Sequence, residues 1–156
     1  MNFKNNASYG KQQEFKAIAK LIELGYDVYT PLIDHMGIDC MIRFGNKEYI
    51  EIQIKARSID RCELKNRGYF PLLSIVDKMD NYFFIFYSEQ IDTYWVIPSS
   101  DIIRMADEDR TNVSQNKKGK SAGKYAVRVA GSKCNPLPQF DKYKNEKGFA
   151  LLKPTI

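Results

Sequence analysis

Along residues 47–57 the apolar side chains Ile50, Ile52 and Ile54 alternate with Tyr49, Glu51, Gln53, Lys55 and Arg57. This is the period of a β-strand with one buried face. The stretch 38–44 reads the same way, with Ile38, Cys40, Ile42 and Phe44 alternating with Asp39, Met41 and Arg43, and Gly45-Asn46 marks a turn between the two. A loop of only Gly45 and Asn46 would set apolar against polar residues along the whole pair. Slipping by one residue, through a longer loop or a bulge, pairs Ile38 with Ile54, Cys40 with Ile52 and Ile42 with Ile50, and burial of one face selects this register. Asp39 then stands opposite Gln53, with Cβ atoms about 5 Å apart. Lys55 follows on the same face.

The rest of the chain supplies a frame for this hairpin. Residues 11–24 have helical periodicity, with Phe15, Ile18, Ala19 and Ile22 recurring on one face, a start signal at Ser8 to Gly10 and a stop at Gly25. Glu14 falls in the row of Ile18 and Leu21, on or bordering that face. A carboxylate there needs a partner or a cation; otherwise it is a first-turn Glu that favours the helix dipole while its head reaches water. Residues 26–30 form a short strand ended by Pro31, and the loop 32–37 carries Asp34 and His35 toward Asp39. These two either touch a substrate or are structural, and the structural reading is favoured. Residues 58–70 show no clean period, and 72–79 predict a short helix.

Residues 82–87 are an unbroken apolar run, which predicts a strand covered on both faces. Residues 93–97 add a buried strand containing Trp95, and Pro98-Ser99-Ser100-Asp101 opens a helix over 102–106. Residues 107–123 read as a polar, mobile loop, 124–129 as a strand and 139–145 as a short helix. Tyr125, Phe140 and Tyr143 interleave with lysines, which suits either stacking on bases or anchoring a tail to the core, the second being commoner. With no repeat or linker, the pattern predicts one α/β domain over 1–156, with a core of about 10–106 and a basic extension over 107–156. Its order is helix, three strands, helix, two strands, giving a central mixed sheet flanked by helices.

Composition changes this picture in two places. A hydrophobic content of 44% with 10 Tyr and 9 Phe argues against disorder. No apolar run approaches the roughly 20 residues of a membrane span, and the first residues lack the apolar centre of a signal peptide, so the expected location is cytoplasmic. Cys40, Cys62 and Cys134 are odd in number and lack metal-type spacing. Cys40 reads as core. His35 is the sole histidine, which leaves little room for histidine-based catalysis. Charge is uneven: residues 111–156 carry ten Lys/Arg against two Asp/Glu, whereas residues 1–110 carry 14 against 17. A basic late segment is either a phosphate-tracking surface or a solvated one.

An aspartate, a side-chain carbonyl and a lysine at the positions of Asp39, Gln53 and Lys55 form either a hard-metal site with a cationic neighbour or an ordinary polar strand face. The order Glu14 on a first helix, a short strand with Pro31, then Gly37-Ile38-Asp39, then Gln53-Ile54-Lys55, resembles the PD-(D/E)XK nuclease superfamily over roughly residues 10–100. The closest pattern is that of a small bacterial branch with Gln in the third motif, a branch that includes a group I intron homing endonuclease. The resemblance implies a restriction-endonuclease-like core and Mg²⁺-dependent cleavage of DNA, with Mn²⁺ substituting and RNA as a further substrate to test. It implies Asp39 as principal metal ligand and Gln53 as second ligand. It also implies that Lys55 orients water or stabilises phosphorane charge, and that Glu14 holds the metal's outer shell. Arg43, Arg57, Lys117, Lys118 and Lys120 become phosphate contacts, and a homodimer or larger assembly is expected. Gln53 in place of a carboxylate removes a negative charge from the site, with Glu51 as a rim residue that could compensate. The alternative is therefore a nuclease-fold module that binds nucleic acid or protein without strong catalysis.

Overall fold

The computed structural model describes residues 6–33, 36–75, 80–108 and 110–153. Its centre is a five-stranded sheet in the order β1-β2-β3-β5-β6, built from β1 (Asp27–Tyr29), β2 (Cys40–Phe44), β3 (Glu48–Arg57), β5 (Tyr82–Ser88) and β6 (Thr93–Pro98). The β3–β5 pair is parallel and the other pairs are antiparallel, so the sheet is mixed. The register of β2 on β3 is the slipped one: Cys40 pairs with Ile52 and Ile42 with Ile50, while Phe44 faces Glu48 across the Gly45-Asn46-Lys47 loop. Gly45 has φ of 55°, which lets the loop close. As the apolar run predicts, every residue of β5 is buried.

One face of the sheet carries helix α1 (Asn6–Glu23) and a cluster containing Ala17, Leu21, Cys40, Ile52 and Ile54. The helix faces the sheet differently from the sequence expectation. Gln13, Ala17 and Leu21 are buried, whereas Phe15 and Ile22 are 61% and 58% exposed. Two rows, Phe15-Ile18-Ala19-Ile22 and Ala17-Ile18-Leu21, overlap at Ile18, and periodicity alone does not separate them. The row with small Ala17 is the one that lets the helix axis approach the strands closely. Glu14 borders the buried face as expected, with its side chain 20% exposed.

The other face is covered by helix α2 (Ser99–Glu108) and a second sheet of order β4-β8-β7. Its strands are β4 (Tyr69–Leu73), β7 (Val113–Gln115) and β8 (Tyr125–Arg128). This corrects two expectations. The start of the predicted 72–79 helix is instead the end of β4, where Phe70 and Leu73 are buried and Leu72, at φ of 62°, sits in an irregularity of the ladder. Residues 76–79 lie outside the described residues. The predicted 107–123 loop contains β7, held by Val113 against Val127, because three residues with one buried side chain give too short a period to recognise.

The basic C-terminal stretch is part of the core. A 3-10 segment (Pro138–Tyr143) and helix α3 (Asn145–Phe149) bring Phe140 and Tyr143 into the cluster with Phe84 and Trp95. Phe149 and Leu152 join the cluster beneath α1. Phe140 and Tyr143, at 0% and 1% exposed, are anchors and not stacking platforms. Cys40 is fully buried, and the three cysteines are free. No helix among the described residues is long and apolar enough to cross a membrane.

Candidate functional site

The regular β2–β3 ladder begins at Cys40 opposite Ile52. One residue earlier it breaks. The Asp39 N–H still donates to the Ile52 carbonyl at 2.9 Å, but the Ile54 N–H, which a continued ladder would offer to a backbone carbonyl, donates instead to Asp39 Oδ2 at 2.6 Å. The expected Ile38–Ile54 pair is therefore not made. Ile38 packs on the α2 side of the sheet, whereas Ile54 packs on the α1 side. The physical reason is that the Asp39 carboxylate replaces a backbone acceptor and lets the two strands part.

This break positions the site. A carboxylate that accepts an in-plane N–H from the sheet lies in the gap between strands, within reach of groups from either face. Burial pushes the Asp39 carboxyl up to about 6 from an ordinary 3.8; the Ile54 N–H opposes the rise, Glu14 adds to it, and Lys55 and Lys11 oppose it. Glu14, Asp39 and Lys55 are thus brought together in one electrostatic neighbourhood. Lys11, one turn before Glu14 on α1, forms an ion pair with it. The sequence reading missed Lys11, although its i, i+3 spacing to Glu14 was the available signal.

Gln53 is held from the other side. Gly37 has φ of 72°, and a Cβ there would overlap the Gln53 amide nitrogen and lie 3.2 Å from Cδ. The amide therefore packs directly on the backbone two residues before Asp39. Only glycine offers both the left-handed conformation and the space. Gly37→Ala should lower stability by about 1–3 kcal/mol and displace Gln53. Urea unfolding of Gly37→Ala, Gln53→Ala and the double variant checks this: the losses should be less than additive, and strict additivity would show that the two residues do not press on one another.

Other predicted contacts lie elsewhere. Arg43 is exposed on β2, between Asp27 of β1 and Tyr49 of β3, with Nε 3.4 Å from the Asp27 carboxylate and its guanidinium over the Tyr29 ring. Arg57 is half-buried; its Nε donates to the Tyr69 carbonyl at 2.8 Å, its guanidinium lies over Phe70, and burial lowers its pKa. Its geometry is that of a tie between β3 and β4. Lys117, Lys118 and Lys120 are exposed on the β7–β8 connection, with Lys117 Nζ 2.7 Å from Gln115 Oε1. Glu51 is half-buried on β3, in register with Tyr82 of β5. Asp34 and His35 lie outside the described residues.

The donor set matches a hard cation in kind. Asp39, the Gln53 carbonyl and Glu14 offer oxygen, and Asp39 is a carboxylate whose charge is disfavoured until a cation balances it. The set is small: among the described residues no group of three or more His, Cys, Asp or Glu could hold a metal ion. The residues therefore fit an ion that completes its shell with water and ligand phosphate.

No protein-family model matches this chain, and no curated protein matches its sequence. Solved structures do. The bacterial homing endonuclease I-Ssp6803I aligns with a TM-score of 0.58 at 17% identity, over 92% of this chain and 90% of its own. A nuclease from a fusselovirus aligns with a TM-score of 0.51 at 18% identity, over 97% of this chain and 98% of its own. Across nearly the whole length, the chain therefore has the mixed α/β fold of these two nucleases.

Proposed function

We propose that this protein is a Mg²⁺-dependent endonuclease of the PD-(D/E)XK type that hydrolyses DNA phosphodiester bonds. The observation that carries the proposal is the Asp39 carboxylate, fixed in a strand gap by the Ile54 N–H with Glu14 and Lys55 acting on it. A strand ladder has no structural need to trade a backbone acceptor for a half-buried carboxylate at that cost. The fold shared with two nucleases agrees with this reading.

In this scheme Asp39 and Gln53 would hold the ion, with the Glu14 carboxylate, paired to Lys11, adding negative charge beside them. When bound, the ion neutralises the non-bridging phosphate oxygens and makes water a better nucleophile. Lys55 orients the attacking water and stabilises the charge that grows on the phosphorus oxygens. Asp39 has to be ionised to take the ion, so uptake by the ion-free protein weakens as the pH drops below about 6. The exposed Lys117, Lys118 and Lys120 supply sequence-independent attraction for the phosphate backbone, with Arg43 on β2 adding to it.

Gln53 and the small carboxylate set favour one rival, a nuclease-fold binding module with weak metal affinity. Incubating plasmid DNA and a structured RNA with the protein in Mg²⁺ and in Mn²⁺ separates the readings. Metal-dependent nicking of DNA that disappears in Asp39→Ala and Lys55→Ala supports the endonuclease. Binding without cleavage selects the module, and cleavage of RNA alone changes the substrate.

A further inference from the structure

Tyr82 opens β5 and is 7% exposed, yet its hydroxyl is buried without a hydrogen-bond partner among the described residues. The parallel register sets Tyr82 beside Glu51, Phe84 beside Gln53 and Phe86 beside Lys55. Tyr82, Phe84 and Phe86 share one cluster, and the rings of Tyr82 and Phe84 meet edge to face with centroids 5.3 Å apart. The phenol ring is thus fixed by packing, next to the row of β3 that carries the candidate site. Burial pushes its pKa up to about 12, and the negative charges of Asp39 and then Glu51 add to the rise. At neutral pH the group stays protonated and can donate a hydrogen bond.

A buried hydroxyl without a partner is costly, and phenylalanine would fill the same cluster without that cost. The donor feels two carboxylates and bonds to neither. That is the arrangement of a hydrogen bond completed by a third, bound group. We propose that the Tyr82 hydroxyl is a ligand-contacting group of this site, donating to an anionic or water oxygen that enters beside Asp39: a phosphate oxygen of the nucleic acid, or a water on its cation. The inference rests on the nuclease reading and adds a residue from β5, the strand that its motifs do not reach.

The test compares the parent, Tyr82→Phe and Asp39→Asn in three measurements. These are urea unfolding without divalent ions, Mn²⁺ binding followed by the spectroscopic signal of the free ion, and binding of a short DNA duplex in Ca²⁺ followed by fluorescence anisotropy. Ion-free Tyr82→Phe should be as stable as the parent or more so, and should bind about tenfold more weakly in one of the two ligand arms. Weakening with Mn²⁺ alone assigns the hydroxyl to the cation's water, and weakening only with the duplex assigns it to a phosphate oxygen. Loss of stability in the ion-free variant, or unchanged affinity in both arms, overturns the proposal. If the parent binds and Asp39→Asn does not, while Tyr82→Phe matches the parent, this inference alone fails. A parent that binds neither ion nor duplex removes the nuclease reading and this inference with it.

Discussion

Asp39→Asn should reduce Mg²⁺-dependent DNA cleavage by about a thousandfold or more, while making the ion-free protein more stable at neutral pH. The two effects have one cause. Asp39 is held at the break in the β2–β3 ladder by a 2.6 Å hydrogen bond from the Ile54 N–H, which an asparagine oxygen can also accept. What asparagine lacks is the charge. Burial, with Glu14 nearby, raises the folded-state pKa from 3.8 to about 6. The folded protein therefore binds more protons than the unfolded chain between these values. Stability contributed by the protonated form is fully present below about pH 4 and is lost as the pH rises through about 6.

For a half-buried carboxyl screened by solvent, the resulting cost at pH 7 is about 1 to 2 kcal/mol. Urea unfolding without divalent ions should show Asp39→Asn ahead of the parent at pH 7 and level with it at pH 4. Adding Mn²⁺ should stabilise the parent and leave the variant unchanged, since an ion that binds only the folded form shifts the balance by mass action. A variant that cleaves like the parent removes Asp39 from the mechanism. Parallel pH profiles for the two proteins would mean that its carboxyl is solvated and not held in the gap.

Lys55→Ala should lower kcat by about a hundredfold to a thousandfold with little change in Mn²⁺ affinity. Lys55 lies beside Ile54, whose N–H holds Asp39, and its charge opposes the rise in the Asp39 pKa. On the proposed mechanism its removal takes away the group that stabilises growing negative charge and leaves the ion's oxygen ligands in place. The acid side of the pH–rate profile should also move to higher pH, because Asp39 loses a positive neighbour. Lys55→Arg keeps the charge and should retain the parent's profile at reduced rate. Equal loss of ion affinity and rate in Lys55→Ala would place Lys55 in ion binding or folding, and an unshifted acid limb would separate it from Asp39.

Much of the architecture was legible because burial and strand period are local signals. Ile42, Cys40, Ile50 and Ile52 left one register open to β2 and β3, since the other exposes one set of side chains. The apolar run 82–87 announced a central strand for the same reason. The orientation of α1 was not legible, because Ile18 belongs to two overlapping rows and only the sheet chose Ala17 over Phe15. β4 and β7 escaped because short strands with one or two buried residues carry almost no period, and β4 in addition pairs with β8, far along the chain.

For the site, strand alternation made Asp39, Gln53 and Lys55 legible as neighbours on one hairpin, but spacing left a metal site and an ordinary polar face both open, and only the resemblance to the nuclease superfamily joined Glu14 to them. What the tertiary structure alone decided is how each of them is held. The ladder breaks at Asp39, Gln53 rests on Gly37, Lys11 takes hold of Glu14, and Tyr82 arrives from β5 with a hydroxyl that has no partner among the described residues. Each of these depends on where one element stops and another passes it. Such placements follow from the packing of the whole chain, because a hydrogen bond or a close approach between distant segments is set by distances that no local pattern encodes.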